Sequence, residues 1–156
     1  MEEIKELPLL EITAESLMIS SEKVAHVQMN NPLEHALLIL VKSGYSAVPV
    51  LDISYKFQGV IGKNLILDKI LGLERFEMER LSEVRVNDVV NQEIPCLKKS
   101  DNFLSCLKSV IDYPFVCVVD QEGYFDGIVT RRAVLKQLNK YIHVKKSLFN
   151  EIIDDK

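Results

Sequence analysis

Basic residues are the minority charge in this chain. Its 19 lysines and arginines face 23 acids over 156 residues, a net charge of −4. That balance argues against a nucleic-acid polymer or an anionic membrane as the main partner, because both select a cationic face. Long apolar runs are lacking too. No stretch approaches the roughly 18 apolar residues of a membrane span. The opening MEEIKELPLL has neither the basic region nor the sustained apolar core of a signal peptide. Cysteine is scarce and odd in number: Cys96, Cys106 and Cys117, with no CxxC spacing. A disulfide framework or a zinc site is therefore not expected. Cys106 lies in a helix-like run and Cys117 in a strand-like one, so they read as buried free thiols in a reducing, cytoplasmic setting. The histidines His26, His35 and His143 are not spaced for a metal cluster, and no Cys/His or Ser/His/Asp set is suggested. No cofactor and no enzymatic activity are expected.

What the chain does have is a repeat. Tyr45-Ser46-Ala47-Val48-Pro49-Val50-Leu51-Asp52 returns in outline 68 residues later as Tyr113-Pro114-Phe115-Val116-Cys117-Val118-Val119-Asp120. The offset continues without a gap through Phe57/Phe125, Gly59/Gly127 and Leu67/Leu135, and 7 of the 23 pairs from Tyr45 to Leu67 are identical. Two copies of one supersecondary unit leave clefts between them, where a small molecule can sit.

Each copy reads helix, strand, turn, strand, helix. In the first, Asn31 is expected to cap a helix, with Pro32 at its first position and Glu34 completing a capping box. Leu33, Ala36, Leu37, Leu40 and Val41 supply the apolar stripe, and Gly44 ends the helix. Ser46 to Leu51 is an apolar run of strand length, covered on both faces. Residues 52–56 turn the chain, Phe57 to Ile61 make the return strand, and a helix follows from about Asn64 to Leu71. In the second copy Ser100 is the expected cap. Phe103, Leu104, Leu107, Val110 and Ile111 form the stripe, and Asp112-Tyr113-Pro114 ends the helix. Strands Phe115–Val119 and Tyr124–Val129 flank a turn at Gln121-Glu122-Gly123. A last helix runs from Arg131 to about Tyr141. Residues 72–88 are charged and expected to be partly helical, and residues 1–8 and 145–156 to be frayed.

Thr130-Arg131-Arg132 is the most telling triplet. It falls where an apolar strand turns into a helix, so its residues sit at a helix N-terminus whose free amides favour anions. Two arginines there oppose the helix dipole by roughly 0.3–1 kcal/mol each when exposed and unpaired. A bound phosphate reverses that sign, because amides, the Thr130 hydroxyl and two guanidinium groups then converge on one anion. A solvated arginine pair, or arginines paired with nearby carboxylates, is the other reading of the same residues. The matching position in the first copy is Gly62-Lys63-Asn64, with one charge and no hydroxyl. The two clefts are therefore unequal.

Ala47-Val48-Pro49-Val50-Leu51-Asp52 with Gly59-Val60-Ile61-Gly62, and Val116-Cys117-Val118-Val119-Asp120 with Gly127-Ile128-Val129-Thr130, resemble the CBS motif. Two in fixed register over residues 18–140 resemble a CBS pair, or Bateman module. A narrower likeness lies in Lys23-Val24-Ala25-His26-Val27-Gln28, Leu33-Glu34-His35-Ala36-Leu37-Leu38, Gly44-Tyr45, and Gly127-Ile128-Val129-Thr130-Arg131-Arg132 followed by Leu135-Lys136-Gln137-Leu138-Asn139-Lys140. These resemble the stand-alone cyclic di-AMP-binding CBS proteins of Gram-positive bacteria (the DarB/CbpB type).

The resemblance implies an α/β fold of two tandem β-α-β-β-α units related by a pseudo-two-fold axis. Its expected divisions are an N-terminal helical segment over 1–17, CBS motifs over 18–72 and 89–141, a linker over 73–88 and a tail over 142–156. It also implies a cleft completed across the copies by Lys23, Val24, Ala25, His26, Tyr45, Ser46 and Ala47 facing Thr130, Arg131 and Arg132. Main-chain groups there would meet an adenine edge, Ala25 and Ala47 would admit the base, Tyr45 would stack or donate its hydroxyl, and Lys23 would reach a second phosphate. The other cleft would carry bulky Phe115 where Ala47 stands, and so would be filled by protein. CBS pairs that bind AMP or ATP usually carry an aspartate three residues after the threonine. Here Ala133 and Leu65 occupy those positions, which turns the expectation from AMP or ATP toward cyclic di-AMP. A homodimer is implied, with a protein partner such as a (p)ppGpp synthetase/hydrolase or pyruvate carboxylase. AMP/ADP/ATP sensing and a ligand-free scaffold are the alternatives.

Overall fold

The two repeat copies meet at their own hairpins, and that contact defines the symmetry of the molecule. In the computed structural model, which describes residues 9–154, Lys56 and Tyr124 form an antiparallel bridge. The Phe57 amide donates to the Gly123 carbonyl at 2.9 Å, and the Phe125 amide donates to the Tyr55 carbonyl at 3.3 Å. The Phe57 and Phe125 rings stack with centroids 6.5 Å and planes 21° apart. The bridge and the ring pair each join residues separated by the repeat offset of 68, and the two hydrogen bonds are images of each other under that offset. Images touch their own images only on a two-fold axis. The repeat read in the sequence is therefore a pseudo-two-fold in space.

Each unit is β-α-β-β-α. The first contains β2 (Val27–Gln28), α2 (Leu33–Ser43), β3 (Ala47–Leu51), β4 (Phe57–Gly62) and α3 (Lys63–Ile70). The second contains β5 (Cys96–Leu97), α5 (Phe103–Ser109), β6 (Phe115–Val119), β7 (Phe125–Thr130) and α6 (Arg131–Asp154). Within each unit the first strand runs parallel to the second, and the second antiparallel to the third. Asp52 and Asp120 shape the matching hairpin turns. Asp52 Oδ1 accepts the Ser54 and Lys56 amides at 2.8 and 2.9 Å; Asp120 Oδ1 accepts those of Glu122 and Tyr124 at 2.9 and 2.8 Å.

The units also exchange backbone. A short helix α1 (Ala14–Leu17) leads into β1 (Ile19–Ser20), which pairs antiparallel with β7 of the second unit. Reciprocally, Asn91 from the start of the second unit exchanges both backbone hydrogen bonds with Val60 on β4, at 2.9 and 3.0 Å. This crossing explains why Gly59 and Gly127 stand at matching positions. A Cβ on Gly59 would collide with the Asn91 carbonyl, and one on Gly127 with the Ile19 carbonyl.

Three apolar clusters hold the fold. One lies under the first sheet, around Leu33, Leu40, Val50 and Ile61. A second lies under the other sheet, around Phe103, Cys106, Val116 and Val129. The third lies between the units and joins Val24, Leu51, Val60, Cys117, Phe125 and Ile128. The segment expected as a linker contributes directly: α4 (Arg80–Glu83) and the turn Val86–Asp88 place Leu81 and Val86 in the first cluster. Among the described residues no helix is long and apolar enough to cross a membrane.

The structure corrects several expectations. Asn31 does not cap α2. Its Oδ1 accepts the Gln28 amide at 2.8 Å, closing the turn after β2, so Pro32 becomes the N-cap. The Leu33 amide is satisfied instead by the Val84 carbonyl at 2.9 Å. In the second unit Asn102, not Ser100, caps the helix, accepting the Ser105 amide at 2.9 Å. Both helical stripes were placed with one edge too far round. Val41, Leu104 and Ile111 are exposed, whereas Cys106 is fully buried between Phe103 and Val110. The last helix does not stop near Tyr141; it continues to Asp154, through the expected tail. The expected fraying of residues 1–8 lies outside the described residues. Gly44 ends α2 as expected, in the left-handed conformation at φ 77°.

Candidate functional site

The unequal clefts of the repeat lead to one cavity of about 490 Å³ of empty space, its mouth included. Two chain entries from the first unit form one side. After the 3-10 turn Ser21–Lys23, the Val24 amide donates to the Ser21 carbonyl at 3.1 Å, and the chain runs straight through Ala25 into β2. Among the described residues neither the amide nor the carbonyl of Ala25 has a hydrogen-bond partner. A half-buried backbone pair of that kind is a donor–acceptor edge ready for a ligand. Beside it, the left-handed turn at Gly44 throws the chain into Tyr45 and Ser46 before β3 begins. The Tyr45 amide is held by Ser43 Oγ at 3.3 Å. The Ser46 carbonyl is taken by the Lys63 amide at 3.0 Å. Ala47 follows, opposite Gly62, and its single methyl leaves the slot open.

The second unit supplies the other side. Phe115 opens β6, and its register partner Thr130 closes β7. Both line the cavity, with Pro114 and Ile128. Thr130 Oγ1 accepts the Ala133 amide at 3.1 Å, so the hydroxyl caps the first turn of α6 and keeps its own proton to donate. The floor belongs to the cluster between the units, where burial pushes the Cys117 thiol well up.

Of the ten residues expected at the site, Val24, Ala25, Tyr45, Ser46, Ala47 and Thr130 line this one cavity. The other four stand apart from it. Lys23 is exposed at the end of the 3-10 turn. His26 turns into a neighbouring recess that shares Val24, where its ring meets Tyr55 edge-on at 5.8 Å. Arg131 corrects the expected two-guanidinium phosphate clamp. Its Nε donates to the Val110 carbonyl at 2.8 Å and its Nη2 to the Ile111 carbonyl at 3.3 Å, which ties the end of α5 to the start of α6. Helix C-terminal carbonyls carry partial negative charge, so they compete well for a cation two elements away. Arg132 has no hydrogen bond or ion pair among the described residues. It lies on a shallow basic face with Leu135, Lys136 and Asn139.

Phe115 was expected to fill the opposite cleft, yet it lines this one. The signal was its register with Thr130: a residue paired with the hydroxyl that faces the slot must border the slot. Pro49 and Ile128 were missed for the same reason, because an apolar strand residue looks alike from sequence whether it faces core or cavity.

A family model described as "CBS domain" matches residues 14–72 and 86–140. Over 134 residues the chain is 52% identical to cyclic di-AMP receptor B of Bacillus subtilis (strain 168), covering 86% of this chain and 91% of that protein. A CBS domain-containing protein from Bacillus anthracis superposes with a TM-score of 0.83 at 59% identity, over 86% of this chain and 98% of the other. CbpB from Listeria monocytogenes, in complex with c-di-AMP, superposes with a TM-score of 0.76 at 54% identity, over 81% and 95% of the two chains.

Proposed function

The chain belongs to the CBS-domain family, and from that premise we propose that it is a receptor for cyclic di-AMP that acts through protein contacts. The observation that carries this reading is the slot itself. An unpaired Ala25 amide and carbonyl, a methyl-sized side chain at Ala47 and the Thr130 hydroxyl border one cavity. A free arginine, Arg132, stands on the helix that Thr130 caps. The first three suit a purine, read at its edge by backbone groups; the last suits a phosphodiester. The B. subtilis relative is named for the same messenger, and the L. monocytogenes relative was crystallised with it.

Ala133 and Leu65 bear on the choice of nucleotide. Neither side chain can accept hydrogen bonds from ribose hydroxyls, as the aspartate usual at this position in AMP- or ATP-binding CBS pairs would. In a cyclic dinucleotide the 3′ oxygens are already esterified. In this reading Arg132 supplies one phosphate contact and Lys23, exposed outside the cavity lining, the other. On this reading the ligand is bound and not turned over. The setting is the cytoplasm, and the working form is a homodimer with two equal sites. The output is a protein partner, such as a (p)ppGpp synthetase/hydrolase or pyruvate carboxylase. A partner that prefers the empty form lowers messenger affinity by the factor by which the messenger lowers its own. A crystal grown with cyclic di-AMP tests the assignment: one adenine should lie between Ala25, Ala47 and Thr130, with a phosphate on Arg132. An adenine bound elsewhere, or a slot left empty at saturating ligand, contradicts it.

A further inference from the structure

The two hairpin turns are a matched pair, and only one of them carries strain. In each, the opening aspartate accepts the amides two and four residues on. The fourth residue donates its amide back to the aspartate carbonyl, Tyr55 to Asp52 at 2.9 Å and Gly123 to Asp120 at 3.1 Å. That residue has a positive φ in both turns, 95° at Gly123 and 67° at Tyr55. Glycine takes this conformation freely, whereas a tyrosine is strained in it. Tyr55 is the only residue other than glycine with a positive φ among the described residues. The second turn shows that the fold itself requires no side chain there. The tips differ in the same sense. Ile53 is 89% exposed and Tyr55 59% exposed, where the twin turn has Gln121 and Gly123. Large apolar side chains kept at a strained, exposed turn point to a contact outside the fold.

Tyr55 also borders a recess with about 760 Å³ of empty space, its mouth included. Leu51 ends β3 and Phe125 opens β7, so this recess lies at the far end of the strands from Ala47 and Thr130. The two hollows share Val24. Val24, Leu51 and Phe125 make an apolar floor, and the His26 ring braces Tyr55 at 5.8 Å. Glu22 also lines the recess; its Oε1 accepts the Ser20 hydroxyl at 3.0 Å. Among the described residues no cation pairs with Glu22 or lies over Tyr55. Lys56, the next residue, sits over the Tyr124 ring at 5.4 Å instead. An apolar floor, an aromatic ring and a carboxylate without a cation match one side chain in particular. The methylene stem of an arginine lies along the floor, and its guanidinium meets the ring and the carboxylate together. A free small guanidine would fill the recess but leave Ile53 bare, so the arginine belongs to a larger molecule. We propose that this recess seats an arginine of a protein partner, held by Tyr55 and Glu22, with an apolar neighbour of that arginine covering Ile53. This rests on the reading that the output is a protein contact, and it adds the surface and the chemistry of the anchor.

NMR titration of the full-length chain with the peptide acetyl-Leu-Arg-Leu-amide tests it, with the citrulline analogue and N-acetylarginine amide as comparisons. The peptide should shift the signals of Val24, His26, Tyr55 and Phe125 at millimolar concentration. Citrulline for arginine, Glu22→Gln and Tyr55→Gly should each weaken it by roughly tenfold, the loss of one charged or cation–π contact. Ile53→Ser should weaken the peptide and leave N-acetylarginine amide unchanged. Tyr55→Gly should melt no lower than wild type, because Gly123 already serves the twin turn. A lower melting temperature makes Tyr55 a structural residue and overturns the argument from strain. Equal binding of the citrulline analogue, or shifts confined to other surfaces, overturns the guanidinium anchor. An Ile53→Ser chain that binds the peptide as wild type does overturns the protein partner in favour of a free guanidine. A wild-type dimer that Tyr55→Gly dissociates overturns it in favour of a second copy. No binding of any of the three overturns the proposal and leaves the messenger reading to its own crystal.

Discussion

Arg131 and Arg132 are adjacent, identical in type and assigned opposite work. Arg132→Ala should weaken cyclic di-AMP binding by roughly 10- to 150-fold, the loss of one charged hydrogen bond of about 1.5–3 kcal/mol, with melting temperature unchanged. Arg131→Ala removes the tie between the Val110 and Ile111 carbonyls and the start of α6. It should lower stability by about 1–2 kcal/mol in urea unfolding, because the site is partly solvated. Equal effects of the two on binding, with none on stability, would contradict the division. At Ala47 a phenylalanine should abolish detectable ligand binding while the fold persists, since the added ring points into empty slot. The thiols provide an independent check. Burial pushes Cys106 up to about 11 and Cys117 well above its ordinary value. At pH 8 only about a thousandth of Cys106 is then thiolate. Thiol titration of native protein should therefore label Cys96 alone, with the other two appearing on unfolding. Sequence could name the arginines but not their partners. The Val110 and Ile111 carbonyls lie some 20 residues away, and nothing local announces that a helix end needs a cation.

At the scale of elements, local patterns were legible where one residue type has one physical role. Gly44 marks the end of α2, and Asp52 and Asp120 mark the hairpin turns. Asn31 and Ser100 misled because short polar side chains serve turns as readily as caps. Asn31 chose the Gln28 amide once Val84 could satisfy the helix start. The edges of the helical stripes misled for another reason. Val41, Leu104 and Ile111 are apolar yet exposed, and periodicity marks an apolar stripe without saying how much of it the core covers. Gly59→Ala should cost about 1–3 kcal/mol, because its methyl would collide with the Asn91 carbonyl carried across from the other unit. Gly44→Ala leaves open space and strains only one backbone angle. It should cost less, near 1 kcal/mol. The reverse order in chemical unfolding would mean that the crossing at Asn91 is loose.

The whole molecule was the most legible level, because a fixed 68-residue offset constrains many positions at once. It gave the two units; the structure puts the axis between them at Phe57 and Phe125. What it could not give is the exchange of β1 and Asn91 between units, since two-residue pairings carry no periodicity. The same exchange makes the slot a property of both halves. Val24 and Ala25 come from one side, Thr130 and Phe115 from the other, and β1 stitches the first chain entry to the second sheet. A ligand that fills the slot therefore touches both units at once. Calorimetric titration of the wild-type chain with cyclic di-AMP, then with ATP and AMP, tests this most directly. The account predicts one cyclic di-AMP per chain, no heat from either mononucleotide, and loss of the signal in Ala47→Phe. Micromolar binding of ATP with no response to cyclic di-AMP would contradict it.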